Sequence, residues 1–151
     1  MGKFDQALAE VDRALELNGS DSAAYARRSS VLLWLGRIDE AIASMEISQR
    51  FEPQLIAGDV FNLALGLYMA GRLREAVAAS DRGLIRYPDF FNFHAIRAMA
   101  LAELGDAEGA RLAVNEVKRR SPFFQSEMFG TRFARPVDRE NVQQALRKAG
   151  F

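Results

Sequence analysis

The chain has 151 residues, and its 20 Lys and Arg are balanced by 20 Asp and Glu, so the formal net charge is zero. That length can hold one domain with a continuous core, and the balanced charge removes the bulk argument for nucleic acid or an anionic membrane surface as a partner. With no cysteine and a single histidine, His94, the chain has no disulfide framework, no thiolate chemistry and no histidine-based metal cluster.

Residues 4 to 17 read as an amphipathic helix with Phe4, Ala7, Leu8, Val11, Ala14 and Leu15 on its apolar face. A turn over Asn18 to Asp21 follows, and Asp21 or Ser22 can cap the next helix, 22 to 35. Its partner runs from 38 to 50 and stops at Phe51-Glu52-Pro53. The helix from about 55 to 69 is apolar on nearly every side, which predicts burial on most sides or a binding surface. Gly58 and Gly66 lie inside it at a cost in helix propensity, and close packing is the expected offset at Gly66. Helices over 73 to 86, 89 to 104 and 106 to 120 come next. Beyond Pro122 the expectation is a short helix over 123 to 129 and a connector anchored by Phe133. A turn at Pro136 and a final helix over 139 to 149, capped by Asp138 and stopped by Gly150, complete the chain.

A pattern underlies this order. Gly36 to Pro53 recurs at Gly71 to Pro88 and Gly105 to Pro122, and at Gly2 to Gly19 without the proline. Each copy has an alanine five residues after its glycine: Ala7, Ala41, Ala76 and Ala110. The glycines lie 34, 35 and 34 residues apart, the mark of a helix-pair repeat. Glycine makes the tight turn and alanine lets two helix backbones approach. The face beyond the alanine is well filled by Val11 and Ala14, and by Val114 and Val117. It is thinly filled by Met45 and Ser48, and by Ser80 and Gly83.

These units resemble the tetratricopeptide repeat family. Tyr25, Ser29, Leu32, Gly36, Ala41, Met45, Ser48 and Pro53 stand at its signature places in one unit. Arg28 and Arg97 stand where the family usually has Leu, and His94 where it usually has a large aromatic residue. The resemblance implies an all-α, TPR-like superhelical solenoid of antiparallel helix pairs with a C-terminal capping segment. The expected division is a half repeat at 2–19, repeats at 22–53, 55–88 and 89–122, and a helical cap at 123–151. The cap would cover the last apolar face. The tail also looks like the closing segment of repeat domains attached to bacterial class III nucleotide cyclases and some winged-helix regulators, which implies a regulatory part of a larger bacterial protein.

In the family the first helix of each pair lines a groove that binds a peptide or protein segment. Carried over, the wall is Arg27, Ser30, Trp34, Phe61, Asn62, Leu65, Tyr68, Met69, Asn92, Ile96 and Met99. It suits an apolar peptide held by aromatic anchors; packing in the core is the plainer reading for Leu65 and Trp34. Some relatives clamp a peptide carboxylate, but only Asn62 and Arg27 remain of such a set here. The half repeat at the start would leave Phe4, Leu8 and Leu15 exposed, so a homodimer is the alternative role. No phosphate loop or nucleophile elbow occurs. Asp138 and Glu140 read as first-turn charges, so neither an enzyme nor a cofactor is expected. From Lys118 onward there are eight basic and three acidic residues, read as a solvated end more readily than as a nucleic-acid patch. Without a signal-like apolar run or a stretch long enough to span a membrane, the expectation is a cytoplasmic chain with no membrane partner.

Overall fold

A computed structural model describes residues 2–151. Its helices are α1 (Lys3–Leu17), α2 (Ser22–Trp34), α3 (Ile38–Phe51), α4 (Ala57–Met69), α5 (Leu73–Arg86), α6 (Asn92–Leu104), α7 (Ala107–Arg120) and α8 (Pro136–Ala149). A single 3-10 turn, Ser126–Met128, interrupts the stretch between α7 and α8.

The repeating glycine does the same work three times. Gly36, Gly71 and Gly105 have φ of 78°, 74° and 85°, the left-handed region open to a residue without Cβ. The next amide then reaches back over the helix end: Arg37 N donates to Leu32 O, Arg72 N to Leu67 O and Asp106 N to Leu101 O, each at 2.9 Å. These bonds satisfy end carbonyls that would otherwise lack partners. Asp21 caps α2 by accepting from Ala24 N at 3.0 Å, and Asp106 caps α7 by accepting from Gly109 N at 2.8 Å.

Short connections fold the helices into neighbouring pairs, α2 with α3, α4 with α5 and α6 with α7. The first helices of successive pairs also touch, α2 with α4 and α4 with α6. Among the described residues the backbones of successive second helices do not come as close. The first helices therefore form one closely packed inner layer and the second helices a splayed outer layer, an all-α helical-repeat solenoid with a capping C-terminal helix. Ala41, Ala76 and Ala110 are buried where the layers meet. Ser44 and Ser48 tie α3 to α2 by donating to Tyr25 O at 2.9 Å and Ser22 O at 2.8 Å. A Cβ at Gly66 would meet Ile42 at 3.3 Å and Leu33 at 3.7 Å, the close packing expected there.

Several expectations need correction. Leu8 is not exposed: α1 packs on α2 and buries it, leaving Phe4 and Leu15 half-buried. The helices α4 and α6 begin later than expected, at Ala57 and Asn92. Residues 123 to 129 form no helix beyond the 3-10 turn. Asp138 is not a cap. Pro136 opens α8, its fixed φ suiting the first helical position, and Asp138 sits inside the first turn, paired with Arg135.

Candidate binding groove

The inner face is covered by the chain's own tail. Leaving α7, the chain crosses the first helices in reverse order. Phe124 meets Phe91 at the start of α6, edge to face, with centroids 6.0 Å apart. Phe129 meets Phe61 on α4 at 5.8 Å. Phe133 meets Trp34 at the end of α2 at 5.0 Å, and Ala134 N donates to Trp34 O at 2.7 Å. Phe133 is 1% exposed and Phe129 8%. Aromatic pairs at these separations and tilts favour one another beyond the area they bury.

At the α2–α3 turn the tail is clamped. Arg135 donates twice to the buried Asp138 carboxylate, at 2.6 and 2.7 Å. Gly36 lies directly beneath, and a Cβ there would come within 2.6 Å of the Arg135 guanidinium carbon. Then α8 runs back toward α6 and α7. Val142, Ala145 and Leu146 join the main core, and Ala149 packs with Ala98, Ala113 and Val114. Phe151 closes the circuit on Phe124 at 5.2 Å.

Among the clefts that remain between tail and repeats, two border the wall expected from the sequence. One of about 560 Å³ is lined by Trp34, Gly58, Phe61, Asn62, Leu65, Phe90, Phe91 and Asn92 from the repeats, and by Phe124, Met128, Phe129 and Arg132 among the tail residues. Its apolar wall carries amide groups, and the Arg132 guanidinium lies over the Trp34 ring at 5.9 Å. Asn62 is oriented by donating to Ser30 Oγ at 2.8 Å, and Ser30 donates to Ala26 O. The second, of about 640 Å³, lies where α8 passes Ile38, Tyr68, Met69 and Glu103. The Tyr68 hydroxyl donates to the Glu103 carboxylate. Burial first, and then this bond and the Glu103 charge, push the phenol well above its ordinary range.

The residues expected to form the wall are therefore divided. Trp34, Phe61, Asn62, Leu65 and Asn92 converge on the first cavity, with Ser30 behind Asn62. Tyr68 and Met69 face the second. Ile96 and Met99 are fully buried in the core that the tail helps to close. Arg27 is exposed and lines neither cavity. The sequence reading did not place Phe90, Phe91, Phe124 and Phe129 at the site. The run of aromatic residues between Phe123 and Phe133 was the available signal.

Other candidate chemistry is accounted for locally. Among the described residues no three His, Cys, Asp or Glu side chains lie together as a metal site would require. His94 is buried away from both cavities, its ring nitrogens without hydrogen-bond partners. Burial lowers its proton affinity. Of the basic triplet at 118 to 120, Arg119 and Arg120 both pair with Glu116, whose carboxyl is held down at about 2, first by the Arg119 hydrogen bond. No helix among the described residues is long and apolar enough to cross a membrane.

Stacked helix pairs with an apolar inner face define a helical-repeat protein. The tetratricopeptide repeat family model matches residues 1–54 and 61–123, and the chain belongs to that family. Most of the tail lies outside the match. Among solved structures the chain is similar to the crystal structure of YrrB, a TPR protein with an unusual peptide-binding site, with a TM-score of 0.71 and 23% identity over 97% of this chain and 76% of that one. No curated protein sequence matches.

Proposed function

We propose that this chain is a protein-interaction module that receives a peptide segment on the inner face of α2, α4 and α6. The observation that carries this reading is the cavity of about 560 Å³ against Trp34, Phe61, Asn62 and Leu65. It has room for a large side chain, aromatic walls to hold it and amides to orient the backbone beside it. The fold shared with a peptide-binding TPR protein supports the reading. The ligand is a segment presenting an aromatic or branched apolar side chain.

Selection from a random peptide library against the full chain tests this. Selected peptides should lose affinity at least about tenfold against Phe61→Ser or Asn62→Ala, the expected loss of an interface anchor. Selected peptides that bind both variants as well as the parent would refute it.

A second reading is self-association through α1, favoured by the half-buried Phe4 and Leu15 and by Leu17, which is 85% exposed. A dimer seen by light scattering and broken by Leu15→Asp would establish it. The tail's likeness to repeat segments of bacterial cyclases and regulators supports a regulatory part within a larger bacterial protein.

A further inference from the structure

The stretch that covers the inner face is attached to it in an unusual way. Among the described residues, apart from Ser121 N to Val117 O where α7 ends, its only backbone bond to the repeats is Ala134 N to Trp34 O. Its one piece of regular structure before α8 is the 3-10 turn. Clefts of about 560 and 640 Å³, open to solvent, flank it. Phe123 and Met128 are 92% and 62% exposed. Before α8, whose Val142, Ala145 and Leu146 pack into the core, what holds the stretch is a set of sockets: Phe91 and Phe61 take Phe124 and Phe129, Trp34 takes Phe133, and Gly36 underlies the Arg135–Asp138 pair. Side chains in sockets with little backbone pairing are how a groove holds a peptide. Segments with few backbone hydrogen bonds also open most readily.

We infer that residues 121–151 are a resident occupant of the groove, and that the groove's external partner is a protein segment of the same pattern, which binds by displacing them. That pattern is three aromatic side chains at spacings of five and four residues, then an amphipathic helix opened by proline. The inference rests on the reading of the inner face as peptide-binding and names the class of peptide. The tail has the advantage of being tethered, so it competes at an effective concentration of about millimolar. A free segment wins only if it fits the sockets better or if the tail is weakened.

The test uses a labelled synthetic peptide of residues 121–151 and the full chain. Phe133→Ala empties the Trp34 socket, so the peptide should bind this variant at least about tenfold more tightly than the parent, because the competent state is more populated. Arg135→Ala, altering a side chain that is 54% exposed, guards against misfolding and should shift affinity in the same direction by less. Ile85→Ala, altering an α5 side chain that is 85% exposed and lines neither cavity, should change nothing. With excess peptide, hydrogen exchange of residues 121–151 in the parent chain should rise while that of α3 and α5 stays fixed.

Equal affinity for the parent and both weakened variants would overturn the inference, as would binding without faster exchange in the tail. So would a dimer of the parent chain alone with exchanged tails, which would make the occupant a second copy. If the tail peptide fails while library peptides still depend on Phe61 and Asn62, the inference falls and the peptide-binding reading stands. If neither kind of peptide binds any variant, both fall.

Discussion

Gly83 and Phe93 illustrate what one residue can hide. In the sequence Gly83 looks like missing filling on a helix face. In the structure the fully buried Phe93 ring occupies that space, and a Cβ at position 83 would lie 2.6 to 2.8 Å from three of its atoms. Gly83→Ala should therefore cost about 1–3 kcal/mol despite its better helix propensity, as overpacking does. Gly58 meets nothing within 4 Å, so Gly58→Ala should gain up to about 1 kcal/mol from propensity alone. Urea unfolding of the two variants should move the midpoint in opposite directions. The arginines that depart from the family pattern also have local explanations. Arg28 pairs with Asp12 at 2.7 Å and Arg97 with Asp81 at 2.9 Å, each reaching the preceding second helix. His94 carries a pH signature. Burial holds its proton affinity below the ordinary value of 6.5. As pH falls through that value the unfolded chain takes the proton first. The stability contribution is thus present above it and lost below it. Comparing unfolding free energies from pH 8 down to pH 5, His94→Phe should weaken the acid decline relative to the parent.

At the scale of elements, the helices and their turns were legible because their causes are local. Apolar spacing, Asp21 before α2, and glycine after α2, α4 and α6 all act within a few residues. The tail was not legible in the same way. Its helix start was misassigned because Asp138 resembles a cap, while its carboxylate serves a pair with Arg135 that is docked on a turn far away in the chain. The expected short helix was read from clustered phenylalanines whose partners lie far off in the chain, Phe91 for Phe124 and Phe61 on α4 for Phe129. This docking can be measured by comparing two glycines of equal conformation. Gly71 has φ 74° and open space, and Gly36 has φ 78° and the Arg135–Asp138 pair above it. Gly71→Ala should cost about 1–2 kcal/mol for the left-handed backbone alone. Gly36→Ala should cost more, and the excess should shrink when Arg135 is also changed to Ala, since neighbouring sites couple and distant ones add. An excess unaffected by Arg135→Ala would mean that the tail does not rest on this turn.

At the scale of the whole molecule, the tail changes the kind of object the repeats make. A solenoid is quasi-one-dimensional: each unit touches its neighbours, and stability is a sum of unit and interface terms. Here Phe133 sits on α2, Phe129 on α4 and α8 on α6 and α7. One segment therefore links the first full pair to the last. Loss of the repeats at one end would expose the tail's aromatic residues, and loss of the tail would expose the inner wall. Such cross-links should make a short array unfold as a single unit. Phe133→Ala, removing a side chain only 1% exposed, should cost about 3–5 kcal/mol by the usual penalty for emptying a core site. It should also flatten the transition. With the tail loosened, α2 and α3 can unfold before α6 and α7, so the apparent denaturant slope should fall and probes at the two ends should cease to coincide. A large core substitution outside the tail contacts, such as Met45→Ala, should lower the midpoint and leave the slope unchanged. If Phe133→Ala behaved like Met45→Ala, the tail would be one more packed segment, and the repeats would owe their cooperativity to their own interfaces.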